Sequence, residues 1–136
     1  MFRIFSVLVV VALTAGVVQP AFAETPAQIL AEIKVTAAST PGFQDFSAAR
    51  GEKFYKDKHG GDWNCESCHT KNPAAQGKHA KTDKPIDPLA PAANAERFTE
   101  MKKVQKWFKR NCNDVLDRLC THQEQGDVLA YLLTIN

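Results

Sequence analysis

At 136 residues the chain holds one domain at most. Its formal charge of +2 provides no global field that would draw it to nucleic acid or to an anionic membrane. A chain this short can also build only a small core of its own.

The first stretch reads as separate from that domain. Arg3 supplies a short positive region and residues 4–18 are nearly all apolar. Gln19-Pro20 breaks the run, and Ala21-Phe22-Ala23 forms a small-x-small cleavage site before Glu24. The apolar run is too short to span a bilayer, which favours a secretory signal peptide over a retained membrane helix. The sequence therefore predicts a signal peptide over 1–23, cleaved after Ala23, and a mature domain over 24–136 without stable membrane insertion. Without Arg3 the mature chain has sixteen basic against fifteen acidic residues, a sum of +1. An exported chain meets the periplasm or the outer surface, where thiols oxidise.

Thr25-Pro26 has the form of an N-cap followed by proline at the first helical position. With Ile29, Leu30 and Ile33 on one stripe, it predicts a helix over 26–37. Ser39-Thr40-Pro41-Gly42 is a loop. A second helix is expected over 45–56, carrying Phe46, Phe54 and Tyr55. Gly51 lies inside it, and since such a glycine costs about 1 kcal/mol against alanine, it marks close contact with another element. Gly60-Gly61 ends the region and Trp63 leads onward.

Cys65-Glu66-Ser67-Cys68-His69 follows, a C-x-x-C-H sequence of the kind that attaches c-type haem. The spacing lets one turn of backbone bring both sulfurs to one macrocycle, where they add across the vinyl groups. The adjacent imidazole then serves as proximal iron ligand. Zinc ligation would require a fourth soft ligand at ordered spacing, and thioredoxin-like chemistry a βαβ context. Neither is visible. One covalent haem c is the expected cofactor, and it would add a large apolar body to a small core.

Residues 72–92 are polar and rich in proline, with Pro73, Pro85, Pro88 and Pro91. No regular structure is expected there, and a loop of this length fits wrapping around a ligand edge, with a mobile surface loop as the alternative. The strongest helical pattern runs from Asn94 to Cys112. Val104, Trp107, Phe108 and Cys112 share one face, while Lys102, Lys103, Lys106, Lys109 and Arg110 share the other. That basic face suits either docking of an acidic redox partner or plain solvation. Cys112 and Cys120 would stand about 12 Å apart on one unbroken helix, too far for a disulfide. Pairing in an oxidising compartment therefore predicts a break near Asn113 and a short new helix carrying Val115, Leu116 and Leu119; free thiols are the alternative. Thr121-His122-Gln123-Glu124 matches a capping box, and Val128, Leu129, Tyr131, Leu132 and Ile135 continue it as a last helix. No stretch reads as a strand, so the expected class is all-α.

The second axial position on the iron separates an electron carrier from a ligand binder. Met101 is the one methionine of the mature chain, at the edge of its helix's apolar face, where it suits core as well as ligation. His59, His79 and His122 have polar or loop neighbours and read as solvated. Asn111 falls in the middle of the apolar face of 94–112, where an unpartnered carboxamide would cost about 1–3 kcal/mol. It serves either a buried side-chain-to-backbone hydrogen bond or the haem. An amide oxygen is a hard, weak ligand for soft ferrous iron, so a carboxamide bound to ferric iron should let go on reduction and admit diatomic gases.

Gly51 to Tyr55, the Cys65-to-His69 motif and Asp127-Val-Leu-Ala-Tyr131-Leu together resemble class I cytochromes c, in which a glycine and an aromatic mark the crossing of first and last helices, here Gly51 and Tyr131. Residues 85–91 (PIDPLAP), Arg97-Phe98-Thr99, residues 103–112 (KVQKWFKRNC) and Cys120-Thr121 carry a closer resemblance over essentially the whole mature chain, to the sphaeroides haem protein (SHP) family. The resemblance implies a class I cytochrome c-like fold, covalent haem on Cys65 and Cys68, and His69 as proximal ligand. It implies Asn111 as distal ligand of the oxidised haem, leaving on reduction, a Cys112–Cys120 disulfide, transient binding of O2 and NO, and a dihaem cytochrome c as electron donor. The competing expectation is a plain electron-transfer cytochrome with both axial positions permanently filled.

Overall fold

The computed structural model describes residues 23–136. Residues 1–22, which hold almost all of the expected signal peptide, lie outside the described residues.

Helix α1 (Pro26–Ala38) begins at the predicted cap: Thr25 Oγ1 accepts from Gln28 N at 3.2 Å and Gln28 Oε1 accepts from Thr25 N at 2.7 Å. It buries Ile29, Ile33 and Ala37. Helix α2 (Ala48–Lys56) starts three residues later than the expected Asp45, because Ser47 is the cap and its Oγ accepts from Arg50 N at 3.3 Å. Phe46, expected inside the helix, lies before it and packs on Gly126, where a Cβ would fall 2.1 Å from the ring.

Helix α3 (Glu66–His69) is the single turn of the C-x-x-C-H motif. The 72–92 segment, expected without regular structure, contains a minimal antiparallel ladder of β1 (Gly77–Lys78) and β2 (Pro85–Ile86), with Gly77 opposite Ile86 and Lys78 opposite Pro85. Two residues a side leave the all-α class unchanged.

Helix α4 (Met101–Leu116) departs from expectation at both ends. It does not begin at Asn94, because Phe98 takes a left-handed backbone (φ 57°), which helical geometry excludes. Its first turn is instead satisfied from the other end of the domain: Glu24 Oε2 accepts from Met101 N at 2.8 Å, and Glu24 N donates to the Thr99 carbonyl at 3.0 Å. Nor does it break at Asn113; it runs through to Leu116 and stops at Asp117, also left-handed (φ 54°). The disulfide rules out one unbroken helix through both Cys112 and Cys120, but it does not require the break to come as early as Asn113. The reversal occurs past the helix end, so no separate short helix forms.

Helix α5 (His122–Leu132) starts at the capping box read from the sequence: Thr121 Oγ1 accepts from Glu124 N at 3.2 Å and Glu124 Oε2 from Thr121 N at 2.8 Å. It is the central element, packed on both α1 and α2. Gly51 makes the α2–α5 crossing possible, since a Cβ there would lie 1.8 Å from the Asp127 carbonyl oxygen. The backbone met by the glycine is thus that of Asp127. Tyr131, expected at the crossing, packs one turn further along against Tyr55, ring centroids 5.6 Å apart. The buried Asp127 carboxylate braces the joint, accepting from Ser47 N (2.7 Å), Arg50 Nε (2.8 Å) and Nη2 (2.9 Å), and Gln123 Nε2 (3.1 Å).

Two apolar clusters result. One joins Ile29, Ile33, Val104 and Leu129; the other joins Tyr55, Val128, Tyr131 and Leu132. Each fully buried large aliphatic side chain among these contributes about 1.5–3 kcal/mol. No helix among the described residues is long and apolar enough to cross a membrane.

Candidate haem-attachment site

The turn that carries the thiols is built by Asn64, which is buried. Its Oδ1 accepts from Ser67 N at 2.9 Å and Ser67 Oγ at 2.8 Å, and its Nδ2 donates to the Lys56 carbonyl at 2.6 Å, joining the motif to the end of α2. His69 N donates to the Cys65 carbonyl at 2.9 Å, closing one helical turn that brings both sulfurs and the imidazole onto a single short segment. Beyond it, Thr70 has a positive φ (64°) and its carbonyl accepts from the buried Tyr55 hydroxyl at 2.8 Å. Gly77 of β1 backs the turn, since a Cβ there would sit 2.1 Å from the Cys68 carbonyl oxygen. Ala80 N donates to Cys68 Sγ at 3.4 Å. No spacing pattern in the sequence marks Asn64, Gly77 or Lys81, whose Nζ lies 4.6 Å from the Trp63 ring centroid.

Cys65 and Cys68 are not joined to each other. Burial pushes the Cys65 thiol up to about 12, so it is held as a neutral thiol, contrary to the lowered value of a thioredoxin-type nucleophile. Burial, and secondarily the positive charge of Arg97, push His69 down to about 4, so its imidazole is neutral with a free nitrogen lone pair. His69 Nδ1 is the one buried side-chain nitrogen or oxygen without a hydrogen-bond partner among the described residues. Two thiols on one turn and an unprotonated, partly unsatisfied imidazole fit the donor set of a covalently attached haem. They do not recruit a zinc set: no group of three or more His, Cys, Asp or Glu side chains among the described residues is arranged to hold a metal ion.

Helix α4 faces the same region. Its Phe108, together with Cys65, Leu89 and Phe98, packs against the Tyr55–Leu132 cluster. Asn111 is exposed, as is Trp107 one turn earlier at 47%, while Val104 and Cys112 on either side are buried. A buried backbone hydrogen bond is therefore not what holds Asn111 on this face. Cys112 and Cys120 form a disulfide with their Cα atoms 5.5 Å apart, so the backbone is cross-linked at the residue next to Asn111. Met101 packs against the Ile29–Leu129 cluster. His59 Nε2 lies 2.9 Å from the Phe54 carbonyl oxygen, His79 Nδ1 accepts from Lys81 N at 3.2 Å, and His122 is exposed at the start of α5.

A helical shell gathered around one C-x-x-C-H turn defines the class, a c-type cytochrome. The comparisons agree. A family model described as a domain of unknown function (DUF1924) matches residues 41–132. Cytochrome c'' of Methylophilus methylotrophus is 41% identical over 101 residues, covering 71% of this chain and 70% of that one. A solution structure of that protein, directed at the structural basis of haem-ligand detachment, has a TM-score of 0.67 at 36% identity and covers 80% of this chain and 92% of its own. The cytochrome c-type protein SHP of Cereibacter sphaeroides is 37% identical over 126 residues, 88% of this chain and 93% of that one. Oxidised SHP, described as an oxygen-binding cytochrome c, superposes with a TM-score of 0.71 at 36% identity over 82% of this chain and 98% of its own. The chain belongs to the DUF1924 family and, within the cytochromes c, to the group of SHP and cytochrome c'', and it carries covalently bound haem c.

Proposed function

We propose that the chain is an exported, periplasmic monohaem cytochrome, residues 1–23 being its cleaved signal and 24–136 its one domain, that accepts electrons and in the reduced state binds O2 or NO. In this reading Cys65 and Cys68 hold the haem by thioether bonds and His69 is the proximal ligand. Asn111 is the distal ligand of the oxidised state only. The haem supplies one-electron chemistry and, when an axial position opens, a place for a diatomic gas. The protein's part is to hold His69 neutral and fixed, to keep Asn111 within reach, and to let it go. A carboxamide oxygen suits that role because it is a hard ligand and loses affinity as iron becomes ferrous.

The observation that carries this reading is the division of α4. Asn111 stands on the uncovered part of the helix face, whereas Met101, the rival strong ligand, is packed into the α1–α5 core. The names of the relatives support it: one is an oxygen-binding cytochrome c, and the other is studied for haem-ligand detachment. The electron donor belongs to the same proposal, as a dihaem cytochrome c or a similar redox protein. Substitution distinguishes this reading from a permanently six-coordinate carrier. Asn111→Ala should convert the ferric spectrum toward five-coordinate and raise ferric ligand binding, while Met101→Ala should leave the haem spectrum unchanged. A haem spectrum altered by Met101→Ala and not by Asn111→Ala would reject the reading.

A further inference from the structure

Arg50 is paired with Asp127 and Arg118 with Glu124, but Arg97 has no carboxylate within ion-pair distance among the described residues, although it is half-buried. Its guanidinium is nonetheless fixed. Nε donates to the Pro88 carbonyl at 2.9 Å and Nη2 to the Asp87 carbonyl at 2.7 Å. The segment that holds it is pinned in turn to the haem-attachment turn: Leu89 N and Ala90 N donate to the Pro73 carbonyl at 2.8 and 2.9 Å, four residues past His69. Leu89, next in sequence to Pro88, and Phe98, next to Arg97, pack on the same cluster as Cys65.

Two features of this arrangement ask for an anion. A partly desolvated cation is costly without a counter-charge. A guanidinium has five N–H donors in a fixed fork, and backbone carbonyls occupy two of them here, which leaves three in a geometry suited to a carboxylate. No protein carboxylate fills that role among the described residues. The group implied by Cys65, Cys68 and His69 brings its own: a haem carries two propionate side chains. We propose that Arg97 is the counter-ion of a haem propionate, a positioning residue that fixes the haem edge against the 85–91 segment beside His69. The proposal rests on the attachment reading of Cys65, Cys68 and His69 and is independent of Asn111.

A fixed positive charge near the haem favours the reduced state, which carries one positive charge fewer. Its loss should therefore lower the midpoint potential. The test compares holoprotein of the wild type, Arg97→Gln and Arg97→Lys by spectroelectrochemical titration and by resonance Raman of the propionate bending bands. Glutamine can still donate to a backbone carbonyl but carries no charge; lysine keeps the charge without the fork. The expected result is a lower potential with shifted propionate bands for Arg97→Gln, and a potential near that of the wild type with shifted bands for Arg97→Lys. Wild-type potential and bands in Arg97→Gln, with only a loss of thermal stability, would reduce Arg97 to a clip for the loop and overturn the proposal. A potential that falls as far in Arg97→Lys as in Arg97→Gln would also overturn it. Haem staining of denatured protein keeps the premise separate, since a wild-type chain without covalent haem would remove the attachment reading itself.

Discussion

Asn111 and Met101 lie ten positions apart on one helix, and their surroundings differ. Met101 packs against the cluster of Ile29, Ile33, Val104 and Leu129, while Asn111 is exposed, one turn after a half-exposed Trp107 and next to a buried disulfide. Residue identity is equally decisive at Gly51, where the main chains of two helices touch. A Cβ at 1.8 Å from the Asp127 carbonyl oxygen meets backbone rather than a side chain that could turn aside. Gly51→Ala must therefore push α2 from α5, and overpacking of this kind costs roughly 1–3 kcal/mol or more. A Gly51→Ala holoprotein should melt well below the wild type in a calorimetric scan; an unchanged midpoint would mean that the crossing is looser than described.

The elements are defined by their ends. Helix α5 depends on Glu124, which closes the Thr121 capping box and also receives Arg118 through Nη1 at 2.8 Å and Nη2 at 2.6 Å. Burial alone would raise the Glu124 carboxyl, but hydrogen bonds from Arg118 and the Thr121 backbone outweigh it and hold the group below its ordinary value of 4.5. A carboxyl lowered by folding adds stability that is fully present above its unfolded value and is lost as pH falls through the folded one. The stability difference between wild type and Arg118→Gln should thus be largest above about pH 5 and shrink on acidification below 4.5, as followed by thermal midpoints across that range. A difference independent of pH would show that Arg118 acts by packing alone. Helix α4 shows the other kind of end. Its start is fixed by Glu24, 77 residues earlier, and by the left-handed Phe98, and neither belongs to the helix's own apolar periodicity.

At the scale of the whole molecule this difference explains what the sequence disclosed. The caps of α1 and α5 are local and were legible, as were the C-x-x-C-H turn and the amphipathic face of α4. The ends of α4 were not, because the distant Glu24 side chain and a backbone reversal at Asp117 decide them. The brace of Asn64 on Ser67 and Lys56 and the lack of a carboxylate partner for Arg97 among the described residues depend on contacts between segments and leave no periodic signal. Only the CxxCH signature among the site residues carried its chemistry in spacing alone; Asn111 stood out as a polar residue on an apolar face but required the packing of Met101 to gain weight. The domain is thus a helical frame in which α5 holds α1 and α2, while the attachment turn, the 85–91 segment and α4 converge on the Tyr55–Leu132 cluster.

Release of Asn111 on reduction is tested most directly by the optical spectrum of anaerobically reduced holoprotein, recorded before and immediately after addition of carbon monoxide or nitric oxide. A high-spin ferrous spectrum that shifts at once on gas addition is predicted, because the weak carboxamide leaves an open position. A low-spin ferrous spectrum unmoved by either gas would contradict the gating role of Asn111 and make the protein an ordinary six-coordinate electron carrier.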